Sequence, residues 1–146
     1  MLPHRTGGSP TTVQLVAVGA PVEVVVCTLN EEANLAACLE SVAWAARRFV
    51  VDAGSTDRTR AIAEQYGAEV VSHAWTGYAE QKNWALDNLP LKEPWEFFLD
   101  ADERVPTELE REVRAAVSGV AEAAGYYVAR QMIVLGRGRR GPRWDP

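Results

Sequence analysis

Apolar positions along this chain gather in short β-branched runs separated by segments with helical spacing. Val22-Glu23-Val24-Val25-Val26-Cys27 is nearly continuous in apolar character, which predicts a strand over 22–27 buried on both faces. Leu35, Leu39 and Val42 then recur at helical spacing and predict a helix over 31–42, with Asn30 placed to cap it. Arg48-Phe49-Val50-Val51-Asp52 predicts a second strand, and a helix over 56–66 follows it with Gly67 positioned to end it. A third strand over 69–72 leads through a Trp/Gly loop to a helix over 78–88. Pro90 and Pro94 bracket a connector to a fourth strand over 95–99, and Pro106 opens a helix reaching about 117. A final strand is expected over 125–135, before an Arg- and Gly-rich segment.

Strands alternating with helices through short connections imply an α/β fold, a mostly parallel sheet with helices on both faces. Ligands of such sheets sit at the carboxyl ends of the strands, where strand order reverses. Three of those ends carry polar or acidic clusters: Thr28-Leu29-Asn30-Glu31, Asp52-Ala53-Gly54-Ser55 and Asp100-Ala101-Asp102. In extended backbone residues i and i+2 point to one side, so Asp100 and Asp102 can face one pocket. Two close carboxylates repel, and a hard divalent cation such as Mg²⁺ or Mn²⁺ resolves the conflict while leaving positions for phosphate and water. Asp52 can accept a hydrogen bond from the imide N–H of a uracil or from a ribose hydroxyl; the alternative is a turn residue ahead of Gly54. Ser55, Thr56 and Asp57 are expected to cap the next helix before any ligand contact.

Composition narrows the classes. The 146 residues suit one domain, with 1–20 expected as a loose extension and 21–146 as the folded part, and 47% hydrophobic content excludes a disordered chain. A formal charge of −5 argues against bulk nucleic-acid binding. Cys27 and Cys38 do not make a disulfide framework and read as buried free thiols of a reducing compartment. The absence of a spanning apolar stretch or a signal-peptide pattern leads to a cytoplasmic expectation. No Walker loop or dinucleotide glycine fingerprint is present. The position of Asp100-Ala101-Asp102 after the fourth strand, continuing Glu103-Arg104, is also unlike a haloacid-dehalogenase phosphatase, and the first strand lacks the Gly-rich loop of a sugar nucleotidyltransferase.

Four stretches in order carry a family resemblance: Thr28-Leu29-Asn30-Glu31-Glu32, Val51-Asp52-Ala53-Gly54-Ser55-Thr56-Asp57, Gln81-Lys82-Asn83 and Leu99-Asp100-Ala101-Asp102-Glu103-Arg104. From about Val22 onward the chain resembles the family 2 glycosyltransferases of the GT-A (Rossmann-like) fold, and within them the lipopolysaccharide-core glucosyltransferases. The resemblance implies a metal-dependent, inverting transfer of a sugar, glucose from UDP-glucose or a similar donor, to a glycan or glycolipid acceptor. It implies that Thr28, Asn30 and Glu31 line the nucleoside pocket and that Asp52 recognises the base. It places Asp100 at the ribose or donor sugar, Asp102 on Mn²⁺ or Mg²⁺, and Lys82 near the diphosphate, against the alternative of a solvated helix lysine. Leu29 stands where many relatives carry an aromatic residue.

The resemblance also implies that the acceptor half, with the general base, lies beyond Pro146. Asp145 is not assigned as that base, and Glu103 is expected to be structural and paired with Arg104. The alternative reading is a truncated, inactive nucleotide-sugar-binding fragment. The four arginines Arg137, Arg139, Arg140 and Arg143 offer peripheral contact with an anionic membrane surface, against the alternative of a solvated loop. Trp44, Trp75, Trp84 and Trp95 are expected in packing, with sugar stacking by Trp75 as a second role.

Overall fold

The structure, a computed structural model, describes residues 19–119, 123–134 and 137–140. Its elements in chain order are β1 (Ala20–Thr28), α1 (Leu35–Ser41), β2 (Ala45–Asp52), α2 (Thr59–Gln65), β3 (Glu69–Ser72), α3 (Tyr78–Asn88), β4 (Trp95–Asp100), α4 (Thr107–Val117), β5 (Gln131–Val134) and β6 (Arg137–Arg140). The first four strands form one wholly parallel sheet in the order β3-β2-β1-β4. The chain moves outward from β1 through β2 to β3 and then crosses back to place β4 on the other side of β1. The order therefore reverses between β1 and β4, which is where ligands of such sheets bind.

Alternation along the central strand distributes its valines to two layers. Val22, Val24 and Val26 are buried with Leu35, Cys38 and Leu39 of α1, Ile62 and Ala63 of α2, and Val117 of α4. Val25 faces the other way, with Phe49 and Val51, against Ala85 of α3 and Leu89. Three helices thus cover one face and α3 covers the opposite one, as the near-continuous apolar strands require. Phe49 is the largest side chain with no exposure, and its burial contributes roughly 1.5–3 kcal/mol. Glu23 interrupts the apolar run of β1 yet is fully buried. Its carboxylate meets Arg47 Nη1 at 2.9 Å and accepts the backbone N–H groups of Lys92 and Glu93 at 2.7 and 3.2 Å, tying the amino end of the sheet together.

Several expectations are corrected in detail. The helix expected over 31–42 begins only at Leu35, because Glu31 to Asn34 form a turn in which the Glu31 carbonyl accepts the N–H groups of Asn34 and Leu35. Asn30 does not cap that helix; it adopts a left-handed φ of 55°, which asparagine tolerates. The second helix starts at Thr59 rather than at 56, and Pro106 stands at the N-cap of α4 rather than inside its first turn. The strand expected over 125–135 is shorter and leaves the main sheet: Gln131–Val134 pairs antiparallel with Arg137–Arg140 in a separate two-stranded ladder. Arg137, Arg139 and Arg140 therefore have strand backbone rather than loop backbone. Arg143 and Asp145, like residues 1–18 of the expected extension, lie outside the described residues, whereas Ala20 already opens β1. Among the described residues no helix is long and apolar enough to cross a membrane.

Candidate functional site

Parallel register assembles the site. Thr28 is level with Asp52, and Cys27 with Asp100, so the carboxyl ends of β1, β2 and β4 arrive at one rim. Asp52 is fully buried and its carboxylate is heavily used. Oδ1 accepts the hydroxyls of Thr28, at 3.3 Å, and of Ser55. Oδ2 accepts the backbone N–H groups of Gly54 and Ser55 at 3.2 and 3.1 Å, and Arg60 Nη1 reaches it at 3.4 Å. Burial alone pushes this carboxyl up, but the Ser55 hydroxyl, the two backbone N–H groups and the Thr28 hydroxyl together outweigh burial and hold it below its ordinary range. Gly54 makes the arrangement feasible, because its φ of 103° is one that L side chains rarely adopt.

The loop after β1 and the loop after β2 are clasped to each other. Asn30 N–H donates to Ser55 Oγ at 2.8 Å, and Thr56 N–H returns a bond to Asn30 Oδ1 at 2.9 Å. Glu31 N–H donates to Thr59 Oγ1 at 2.8 Å, and Glu31 Oε2 accepts the Asn34 amide at 3.0 Å. None of Ser55, Thr56 and Asp57 takes the N-cap of α2, which falls to Arg58 without a side-chain bond; Asp57 Oδ1 accepts the Thr59 N–H at 2.9 Å from one position earlier, while Ser55 and Thr56 serve the clasp. Leu29 stands half-exposed above the clasp.

The acidic stretch after β4 differs from the geometry expected of it. The strand ends at Asp100, and Glu103 N–H donates to the Asp100 carbonyl at 2.9 Å, closing a turn over 100–103. The two-residue alternation of extended backbone therefore does not extend to Asp102, which stands exposed at the tip of that turn. Glu103 Oε2 accepts the Asp100 N–H at 2.9 Å, a structural role. Its ion pair, however, is with Arg130 (2.9 Å) and not with Arg104, whose guanidinium bonds the carbonyls of Ala101 and Glu103. Lys82, on α3, points Nζ at Asp100 Oδ1 (3.6 Å), and Arg130 Nη1 lies 3.4 Å from Asp100 Oδ2. Lys82 is thus drawn to the acidic turn rather than left in solvent.

Among the described residues no group of three or more His, Cys, Asp or Glu side chains could hold a metal unaided. The donor set nevertheless fits a hard divalent ion: carboxylate oxygens at Asp102 and Asp100, the nearby Cys38 thiol turned to the Asp100 carbonyl at 3.7 Å, and a cluster already attracting two cationic side chains. Such an ion completes its coordination with phosphate oxygens and water.

The structure therefore brings Thr28, Asn30, Glu31 and Asp52 together around the β1–β2 loops, and Lys82, Asp100 and Asp102 around the end of β4. Sequence reasoning missed Arg60 and Arg130, since nothing in the local pattern of either announces its partner. The four tryptophans among the described residues are packing residues with one exception. Trp44 is buried, Trp84 stacks on His73 with centroids 4.0 Å apart, and Trp95 lies 5.4 Å from Tyr126, whereas Trp75 remains exposed, edge-on to Tyr78. Cys38 is buried and Cys27 half-buried, both as free thiols.

The chain has known relatives. The chain is 36% identical over 123 residues to the lipopolysaccharide core biosynthesis glycosyltransferase LpsC of Rhizobium meliloti, covering 81% of this chain and 45% of that protein. An uncharacterized glycosyltransferase of Rickettsia felis is 42% identical over 89 residues, covering 60% of this chain and 31% of that one. The chain thus spans less than half the length of these curated relatives. Among solved structures it is similar to glucosyl-3-phosphoglycerate synthase from Mycobacterium tuberculosis in complex with UDP, with a TM-score of 0.56 and 27% identity over 84% of this chain and 47% of that one. The same enzyme with Mn²⁺, UDP and phosphoglyceric acid matches at a TM-score of 0.56 and 26% identity, over 80% of this chain and 46% of that chain. The sheet is accordingly that of the GT-A glycosyltransferases, and the profile of glycosyl transferase family 2 matches residues 23–143. The chain belongs to glycosyl transferase family 2.

Proposed function

We propose that this chain forms the donor-binding half of a metal-dependent, inverting glycosyltransferase that takes glucose from UDP-glucose, or a similar UDP-sugar, to a glycan or lipopolysaccharide-core-type acceptor. The observation that carries this reading is the juxtaposition, at the carboxyl end of the sheet, of the clasped polar loops after β1 and β2 with an acidic turn flanked by Lys82. A nucleoside fits the first and a diphosphate with its cation fits the second.

In this reading Thr28, Asn30 and Glu31 line the nucleoside pocket. Asp52 meets the base or ribose through the edge that Arg60 covers, since the 3.4 Å contact of Arg60 is the longest of its five and the least costly to exchange. Asp100 faces the ribose or donor sugar, and Asp102 holds Mn²⁺ or Mg²⁺. That ion supplies charge neutralisation for the departing diphosphate. Lys82 adds a second positive charge on the same side, pre-positioned by α3 rather than recruited during the reaction. A relative named for lipopolysaccharide core biosynthesis and a structural neighbour in complex with Mn²⁺ and UDP support the acceptor class and the donor class respectively.

Calorimetric titration of the chain with UDP, with ADP and with UDP-glucose, each with and without Mn²⁺, tests the proposal. Binding of UDP and UDP-glucose that depends on Mn²⁺, with ADP much weaker, is the expected result. Equal affinity for UDP and ADP, or no binding of either, would overturn the donor assignment. UDP binding without sugar transfer to any acceptor would favour a nucleotide-sugar-binding fragment over a complete transferase.

A further inference from the structure

The acidic turn after β4 is already paired with a cation of the chain's own. Arg130 lies thirty positions beyond Asp100, past α4, and returns to place Nη1 3.4 Å from Asp100 Oδ2 and Nε 2.9 Å from Glu103 Oε1. Lys82 takes the other oxygen of Asp100 at 3.6 Å. Both edges of Asp100 therefore face positive charge, and an ion held by Asp102, two residues along the same turn, enters a cluster whose negative charge is partly neutralised.

The two cations are not equally bound. Lys82 belongs to an eleven-residue helix anchored on the sheet through Ala85, with Leu89 just beyond its end, and its own side chain is two-thirds covered. Arg130 belongs to a stretch over 125–130 that joins neither sheet and is exposed throughout, and 65% of its own side-chain surface is open to solvent. Exposed ion pairs of this kind add little free energy, because solvent screens them and the long side chain loses entropy on pairing. Arg130 is the less firmly held of the two cations. Its planar fork of donors suits bidentate contact with phosphate oxygens as well as with carboxylates.

We propose that Arg130 is a tethered counter-cation of the donor site: it pairs with Asp100 and Glu103 when no divalent ion is present, competes with that ion for the turn, and transfers to the nucleotide's diphosphate once the ion is in place. The inference rests on the donor-site reading above and adds to it an exchange partner that the metal must displace.

The exchange demands effects of opposite sign, which a merely structural arginine would not produce. Free Mn²⁺ is read by its electron paramagnetic resonance signal in the nucleotide-free protein, and UDP affinity by calorimetry at saturating Mn²⁺. Arg130→Ala is expected to bind Mn²⁺ about three- to fivefold more tightly than the unaltered chain, and UDP about threefold or more weakly. Arg130→Lys, which keeps the charge but loses the fork, should fall between the two proteins in both measurements. Unchanged or weaker Mn²⁺ binding by Arg130→Ala, or unchanged UDP affinity, overturns the proposal. Should the unaltered chain bind neither Mn²⁺ nor UDP, the donor-site reading itself fails; binding that is present but indifferent to residue 130 defeats the exchange alone.

Discussion

Replacing Asp52 separates its charge from its shape. In Asp52→Asn, the remaining carbonyl oxygen can keep the N–H groups of Gly54 and Ser55, now at 3.2 and 3.1 Å from Oδ2. The new amide then faces the hydroxyls of Thr28 and Ser55, which can rotate to accept from it. What is lost is the charge on the acceptor. Hydrogen bonds to a charged group contribute ~1.5–3 kcal/mol against ~0.5–1.5 for a neutral one, so two backbone bonds weaken by about 2 kcal/mol in total. Asp52→Ala removes the acceptor altogether. The hydroxyls can re-aim, and the two backbone N–H groups turn to water; giving up two bonds to a charged acceptor at ~1.5–3 kcal/mol each costs about 4 kcal/mol.

Urea denaturation at neutral pH measures both values. The acid limb supplies a second check. The folded carboxyl is held below its ordinary range, so its stabilisation is complete above the unfolded value of ~3.9 and is lost as pH falls below that through the folded value. The unaltered chain should lose stability below about pH 4, and Asp52→Asn should lose less over the same window. An Asp52→Ala protein within ~0.5 kcal/mol of the original, the range of an ordinary surface change, would refute the reasoning.

Two further outcomes follow from other buried groups. Glu23→Ala strips the fully buried partner of Arg47 and the acceptor for two backbone N–H groups, and should cost about 3–5 kcal/mol in the same denaturation assay. Unchanged stability there would contradict the network at the amino end of the sheet. Burial pushes the Cys38 thiol up to about 12, so iodoacetamide at pH 8 should leave it unmodified in the folded protein and label it in urea. Peptide mapping showing Cys38 labelled as fast as a free thiol of pKa ~8.5 would contradict that burial.

The legibility of the chain followed the range of the interactions involved. Short β-branched and aromatic runs bounded by turn residues declared β1 to β4, although only β1 and the end of β2 are deeply buried and β3 is a half-exposed edge, and α3 was legible from 78 to 88 because a Gly and the Pro-bracketed connector punctuate its ends. The start of α1 was misplaced for a tertiary reason. Asn30 has the residue type of a helix cap, but its side chain accepts from Thr56 across the site, twenty-six positions away. Glu23 broke the apolar pattern without breaking the strand, because Arg47 on the neighbouring strand makes its burial tolerable. The acidic stretch was recognised by its residue types, yet its turn was not, since a hydrogen bond from Glu103 N–H rather than any apolar period ends β4. Arg60 and Arg130 were illegible for the same reason as the clasp: their partners are chosen by the fold.

In the proposed function the acidic turn grips a nucleotide's diphosphate through a divalent ion. Measuring UDP affinity with and without Mn²⁺ for the unaltered chain and for Asp102→Ala tests it most directly, because Asp102 is exposed and its loss leaves the packing intact. The expected result is that Mn²⁺ strengthens UDP binding tenfold or more in the unaltered chain and leaves Asp102→Ala almost unaffected, with equal melting temperatures for the two proteins. An undiminished Mn²⁺ enhancement in Asp102→Ala would contradict the claim.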